Sequence, residues 1–350
     1  MRAFFLQGRR VGAGSPCFVI AEAGVNHNGD LTLAHRLVDA AADAGADAVK
    51  FQTFDADTLA SADAPKAAYQ SARTGAGESQ REMLRKLELP RAAHPELKRH
   101  AEERGLVLLS SPFDEGSADF LEELGLPAFK VGSGELTNHP FLVHLAKKGR
   151  PLLVSTGMSE LADVDAAVAV IVAAGDPPLA LFHCTSSYPA PDEAANLRAL
   201  ATMQQRFEQA CVGYSDHSLG TAIPWAAVAM GARLLEKHLT LDRTMPGPDH
   251  AASMDAAGFT ELVAGVRRIE RALGDGVKTV QPCEVDTQRV ARKSLFAARD
   301  LRVGDRLDAA AIVCRRPGLG ISPARLSALL GRRLVRDVAA ETMLHEEDLS

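Results

Sequence analysis

Two apolar runs end in a histidine: CVGYSDH at 211–217 and RLLEKH at 233–238. Neutral imidazole is a common ligand for Mn, Fe, Co, Ni and Zn, and one histidine from each of two adjacent strands would share an ion. With no third protein ligand in view, His217 and His238 point to an open site completed by water and substrate. Two histidines satisfied by hydrogen bonds in a packed rim are the plain alternative. A Lewis acid held there would polarise a carbonyl or orient a water. Ser215, Asp216 and Lys237 share the same run ends, so the two ends read as one polar rim.

Other runs end in charge and hydroxyl groups. Lys50 and Lys130, with Ser111, Ser133, Ser155 and Ser215, supply cations and donors for a compact oxyanion, a phosphate above all. Either lysine alone reads as a surface cation; two of them at strand ends reverse that reading. No glycine-rich phosphate loop is present, so side chains and loop N–H groups would hold the anion. Glu22, in AEAGVNHNG, reads as a general acid or base that contacts a reacting hydroxyl, or as a charge satisfied inside the fold. Gln52 and Tyr188 stand at neighbouring run ends. Asn26 and His27 follow Glu22 in a glycine-flanked loop, suited to a close ligand or to a plain turn. In MPGPDHAAS, Asp249 would accept bonds from sugar hydroxyls or simply shape the loop.

Something must bring these distant groups together. Eight apolar runs do so: 17–22, 48–52, 106–111, 128–134, 151–156, 179–185, 211–216 and 233–239. Amphipathic patterns such as 31–45 and 161–175 alternate with them. The runs are too continuously apolar for a one-sided sheet, which predicts a parallel sheet covered on both faces. About eight strand–helix units over roughly 250 residues predict a (β/α)8 barrel, whose strand C-termini meet at one mouth. An open doubly wound sheet is the structural rival.

The bulk numbers narrow the function classes. The 350 residues are 46% hydrophobic and 24% charged, with a net charge of −6, so nothing global favours nucleic acid or an anionic membrane. No stretch approaches the roughly 18 apolar residues that span a bilayer, and MRAFFLQGRRVGAG lacks a signal-peptide pattern. Five scattered cysteines, at 17, 184, 211, 283 and 314, read as reduced thiols, which makes the cytoplasm the expected compartment. The boundaries predicted are a barrel over 1–275, a linker over 276–289 and a small domain over 290–350, with short strands, turn signals and many arginines.

With these residues assembled, the sequence strongly resembles the N-acetylneuraminate (sialic acid) synthase family. The matching text is FVIAEAGVNHNGD, AVKFQTF, LSSPFD, AFKVGSGE, LLVSTGM, FHCTSSYPAP, GYSDHS, LEKHLTLDR and PGPDHAAS. CRRPGLGISP is similar to that family's C-terminal antifreeze-like (SAF, β-clip) domain. The resemblance implies a transferase that condenses phosphoenolpyruvate with N-acetylmannosamine, giving N-acetylneuraminate and phosphate. It implies that Lys50, Ser111, Lys130, Ser133, Ser155 and Ser215 hold phosphoenolpyruvate, and that Gln52, Tyr188 and Asp249 line the sugar end. Glu22, His217 and His238 would be catalytic, the two histidines binding a divalent ion, Mn2+ ahead of Mg2+ or Co2+. The family is similar to a domain-swapped homodimer, in which Arg316 would reach the partner's sugar N-acyl group.

Two departures bear on the acceptor. Ser186 and Arg73 stand where members of the family carry Asn, which keeps open the 2,4-diacetamido-2,4,6-trideoxymannose acceptor of a legionaminic acid synthase, or another nonulosonate synthase. Two other classes remain: a pyruvate aldolase working through a Schiff base on Lys50 or Lys130, and a carbohydrate- or ice-binding module.

Overall fold

The computed structural model describes residues 3–75 and 77–350. Among them, eight apolar runs buried on both faces form parallel strands, labelled β1 (Phe18–Gly24), β2 (Ala48–Thr53), β3 (Val107–Pro112), β4 (Phe129–Val131), β5 (Leu152–Ser155), β6 (Leu179–Cys184), β7 (Cys211–Asp216) and β8 (Leu234–Thr240). Hydrogen-bonded ladders run β3-β2-β1-β8-β7-β6-β5-β4. β3 and β4 lie side by side across the remaining seam, which makes a nearly closed barrel. The eight runs read from the sequence are these eight strands. The fourth is shorter than its run because Ser133–Glu135 winds into a 3-10 turn.

Side chains alternate in and out along each strand. The outward set, such as Val19, Ala21, Val49 and Phe51, packs under the surrounding helices. Helix Leu31–Asp43 shows how: Ala34, Leu37, Val38 and Ala41 form its buried stripe, and Asp30 caps it by accepting from Thr32 N and Leu33 N. The inward set builds layers. Phe18, Ile20, Ala48, Val107, Leu109, Leu153, Ala180, Phe182 and Leu234 fill the lower interior. An N-terminal hairpin, Phe4–Leu6 with Arg9–Val11, plugs that end with Phe4, Leu6 and Val11. It turns tightly at Gln7 (φ 45°) and Gly8 (φ 79°), the left-handed pair that matches strand twist.

The chain divides into two compact units, Met1–Gly274 and Asp275–Ser350. In the second, Ser294–Ala297 pairs antiparallel with Ile312–Arg315 around a core that includes Leu295, Leu301, Leu307, Leu329, Leu334 and Leu344. Residues predicted to be linker include a 3-10 turn, Pro282–Glu284, and the start of a helix, Val285–Ala291. That helix buries none of its side chains, so no apolar stripe marks it in the sequence. It is tied to the second unit by Gly318 N donating to Arg289 O at 2.8 Å.

Among the described residues no helix is long and apolar enough to cross a membrane. Cys17, Cys184 and Cys211 are buried in the barrel as reduced thiols.

Candidate active site

The strand alternation that fills the floor with Ile20, Ala48, Leu109, Ala128, Leu153 and Leu234 sends the next inward residue up to the mouth. Those residues are Glu22, Lys50, Ser111, Lys130, Ser155 and Glu236, joined by Ser215, His217 and His238. All are buried, and all line a cavity of about 460 Å³. Ser133, Gln52, Tyr188 and Asp249 line it as well. The structure therefore gathers into one pocket every first-unit residue that the sequence assigned to phosphoenolpyruvate, the sugar, proton transfer or the ion. Arg316 belongs to the second unit and is exposed there, at a cis peptide bond to Pro317.

Two lysine–serine pairs line the cavity. Lys50 Nζ donates to Ser111 Oγ at 3.0 Å, and Lys130 Nζ donates to Ser155 Oγ at 2.6 Å. Lys130 also stands 5.2 Å over the Phe182 ring, the top of the apolar floor. Ser133 Oγ accepts from Gly157 N at 3.0 Å. Gly157 is fixed by space: a Cβ there would come within 2.3 Å of Ser186 Oγ and 2.9 Å of Ser133 Oγ.

Two carboxylates share these cations on different terms. Glu236 accepts from Ser215 Oγ at 3.1 Å and lies 3.5 Å from Lys130 and 3.8 Å from Lys50. Burial opposes its ionisation, yet the two lysines hold its carboxyl down to about 2. Glu22 lies 2.8 Å from Lys50 and accepts from Gln52 Nε2 at 3.3 Å. Burial dominates there, and with Glu236 nearby it outweighs Lys50, pushing the Glu22 carboxyl up to about 7. One lysine beside both carboxylates cannot hold both equally well. Burial also pushes Asp249 up to about 6 against the pull of His217.

The two imidazoles have centroids 5.5 Å apart, and the Tyr188 ring lies 4.2 Å from His217 and 5.8 Å from His238. His217 Nδ1 donates to Thr185 O at 2.8 Å, which leaves Nε2 as its lone-pair nitrogen. His238 Nδ1 is buried without a hydrogen-bond partner among the described residues. Burial, with His217 and Lys50 beside it, holds the His238 ring well below its ordinary value and so neutral. No group of three or more His, Cys, Asp or Glu among the described residues is arranged to hold a metal. The pair is an open donor set.

Several sequence-based expectations change. Asp216 and Lys237 do not face the mouth; they pair with each other on the outer side, and Lys237 also donates to Ser218 O at 2.7 Å. Asn26 is structural, donating to Leu239 O and Ser253 Oγ, and His27 Nδ1 accepts from Gly29 N. Arg73 is exposed and is not among the cavity-lining residues, whereas Ser186 is. Sequence reasoning missed Glu236, although it sits two residues before His238 and so shares its face. It also missed Tyr69 and Gln70, which enter the cavity from helix Ala68–Thr74 in the long β2–β3 excursion. No strand period points to them.

A parallel barrel whose mouth gathers two lysine–serine pairs, a buried carboxyl pushed up by burial and two imidazoles defines a class: a barrel enzyme with its chemistry at the strand C-termini. The NeuB family model matches residues 37–278 and the SAF domain model residues 292–350. The chain belongs to the NeuB family and carries a C-terminal SAF domain. It is 45% identical over 337 residues to N,N'-diacetyllegionaminic acid synthase of Legionella pneumophila, covering 95% of this chain and 94% of that one. It is 40% identical to N-acetylneuraminate-9-phosphate synthase of Homo sapiens, covering 97% and 94%. The N-acetylneuraminic acid synthetase of Leptospira borgpetersenii serovar Hardjo-bovis, solved with citrate, superposes with a TM-score of 0.73 at 33% identity, covering 82% and 95%.

Proposed function

We propose that this protein condenses phosphoenolpyruvate with the open-chain aldehyde of an N-acyl mannosamine-type sugar, releasing phosphate and a nine-carbon 2-keto acid. One observation carries the reading. Two buried lysines, each bonded to a serine hydroxyl, share a single cavity with a buried carboxyl near neutrality and two imidazoles. The relatives named N,N'-diacetyllegionaminic acid synthase and N-acetylneuraminate-9-phosphate synthase, at 45% and 40% identity, support it.

Lys50, Lys130, Ser111, Ser133, Ser155 and Ser215 hold the carboxylate and phosphate of phosphoenolpyruvate away from bulk water. The C2–C3 π pair forms the new bond to the aldehyde carbon, whose oxygen takes up a proton. Water then adds to C2 and gives up a proton. The tetrahedral hemiketal phosphate breaks its C2–O bond to phosphate, phosphate leaves with the electron pair, and the C2 hydroxyl gives up its proton as the keto group forms. Glu22 is the proton-transfer group: a carboxyl near 7 both gives a proton and takes one back at neutral pH. Gln52, Tyr188 and Asp249 line the acceptor end.

His217 and His238 fit a divalent cation, Mn2+ ahead of Mg2+ or Co2+: the Thr185 bond at Nδ1 leaves His217 Nε2 with its lone pair, and among the described residues His238 Nδ1 is buried without a hydrogen-bond partner. When bound, the ion supplies Lewis-acid polarisation of the aldehyde. A second copy of the chain would supply Arg316 to the sugar N-acyl group. Exposed valines along the connecting segment, Val277, Val280, Val285 and Val290, support packing against another surface.

The acceptor proposed is N-acetylmannosamine, giving N-acetylneuraminate. A second reading, a 2,4-diacetamido-2,4,6-trideoxymannose acceptor giving a legionaminic acid, is favoured by the apolar cavity wall of Val25, Met83, Leu84 and Leu87, which suits a 6-methyl group. The test is phosphate release from phosphoenolpyruvate against a panel of N-acyl hexosamines, with mass analysis of the keto acid. Release is expected only with both substrates, to be abolished by EDTA and restored by Mn2+. A borohydride-trapped pyruvate adduct on Lys50 or Lys130 would overturn the mechanism in favour of an aldolase.

A further inference from the structure

We propose that Lys66 is a positioning residue for the acceptor: it clamps the segment that carries Tyr69 and Gln70 into the cavity. The inference rests on the condensing reaction proposed above, and it concerns a residue outside the cavity lining.

Helix Ala68–Thr74 is seven residues long and buries none of them fully. Apolar packing therefore does not fix it, and a helix this short is marginal alone. Tyr69 nevertheless stacks on Tyr188 with centroids 5.1 Å apart and planes tilted by 30°, so the helix needs an anchor.

Lys66 is that anchor. Its side chain is 2% exposed, and an ammonium group has three protons to donate. It donates to Thr74 Oγ1 at 2.9 Å and Gly75 O at 2.5 Å, and pairs with Glu78 Oε1 at 3.5 Å. All three partners lie at or beyond the far end of the helix that Lys66 precedes, so one side chain spans it. From Thr74 the chain of bonds continues inward: Thr74 Oγ1 donates to Gln70 O at 2.9 Å. Gln70 Oε1 in turn accepts from Ala67 N at 2.9 Å and Gln80 Nε2 at 3.4 Å. Gln70, Gln80 and Tyr69 all line the cavity. A buried cation with one carboxylate partner is weak as a stability device, which agrees with a role in shape. The Tyr69–Tyr188 pair offers aromatic surface in the cavity to the sugar and its acyl methyl.

The experiment compares Lys66→Met, Tyr69→Ala and the double variant with wild type, reading both KM values, kcat and thermal midpoint. Lys66→Met is expected to raise the acceptor KM about tenfold or more, as misplacement of a binding group does, with the phosphoenolpyruvate KM unchanged. The double variant should match Tyr69→Ala, because Lys66 acts through that ring. Both KM values rising together, an unchanged acceptor KM, or additive effects would each overturn the proposal. Should Lys66→Met fail to fold, Thr74→Val removes one partner of the clamp and should shift the acceptor KM alone in the same direction. Wild-type protein that releases no phosphate with any acceptor would sink the condensing reaction itself. Active wild type with an indifferent Lys66→Met sinks only this inference.

Discussion

A buried carboxylate between two buried ammonium groups sets the charge balance of the mouth. Glu236 stands within 4 Å of both Lys50 and Lys130. Glu236→Gln leaves two buried cations with Glu22 alone, and unpairing a buried ion costs about 3 kcal/mol. The variant should unfold at lower urea than wild type in buffer without multivalent anions. Inorganic phosphate should restore more of its midpoint than it adds to wild type, because an anion between the lysines replaces the lost charge. Equal phosphate responses would mean that the lysines do not form an anion site. Gly157 offers a test on the same side. A Cβ there meets Ser186 and Ser133 hydroxyls, which can swing aside without unfolding the barrel. Gly157→Ala is therefore expected to keep its circular dichroism while the phosphoenolpyruvate KM rises about tenfold, the scale of a displaced first contact.

At the scale of elements, the loops above the strands are held by buried, neutral histidines. His27, in the turn after β1, accepts from Gly29 N, and burial beside His94 lowers its ring from 6.5 to about 4. Protonation would destroy that acceptor and bury a charge. The unfolded chain thus binds this proton first as pH falls, so stability is full above pH 6.5 and declines as pH drops towards 4. A shift of this size is worth about 3 kcal/mol. Urea midpoints at pH 7.5 and 4.5 should differ by less in His27→Asn; equal pH dependence would exclude His27 as a cause. The eight strands were legible because each is a short apolar run buried on both faces, and a parallel barrel turns run ends into a mouth. Period-two parity also carried the orientation of Glu236, Asp216 and Lys237, which reading the run ends as one rim passed over. Tyr69 and Gln70 were not legible: their helix has no buried stripe, and it meets its surroundings through tertiary contacts such as Lys66–Thr74, Gln70–Gln80 and Tyr69–Tyr188.

At the scale of the whole molecule, the second unit poses the question that sequence periodicity could not answer. Its core is small, built from residues such as Leu295, Leu307, Leu334 and Leu344 spread over short irregular pieces, so turns rather than periods betrayed it. Its arginines read from sequence only as charge. Arg316 is exposed on it, and the connecting segment presents Val277, Val280, Val285 and Val290 to the outside. If a dimer exchanges these units, each active site draws Arg316 from one copy and Lys130 from the other. Two inactive variants then complement each other. Arg316→Ala and Lys130→Met, each impaired alone, would be mixed under conditions that exchange subunits. Half of the random dimers are mixed, and each mixed dimer holds one site with both residues intact. Activity should therefore recover to about a quarter of wild type, as expected for two sites related by a two-fold axis. If Arg316 serves the cavity of its own chain, every site in the mixture lacks one residue or the other. Activity that stays at the level of the separate variants, in a mixture shown by mass to contain heterodimers, would exclude the exchange.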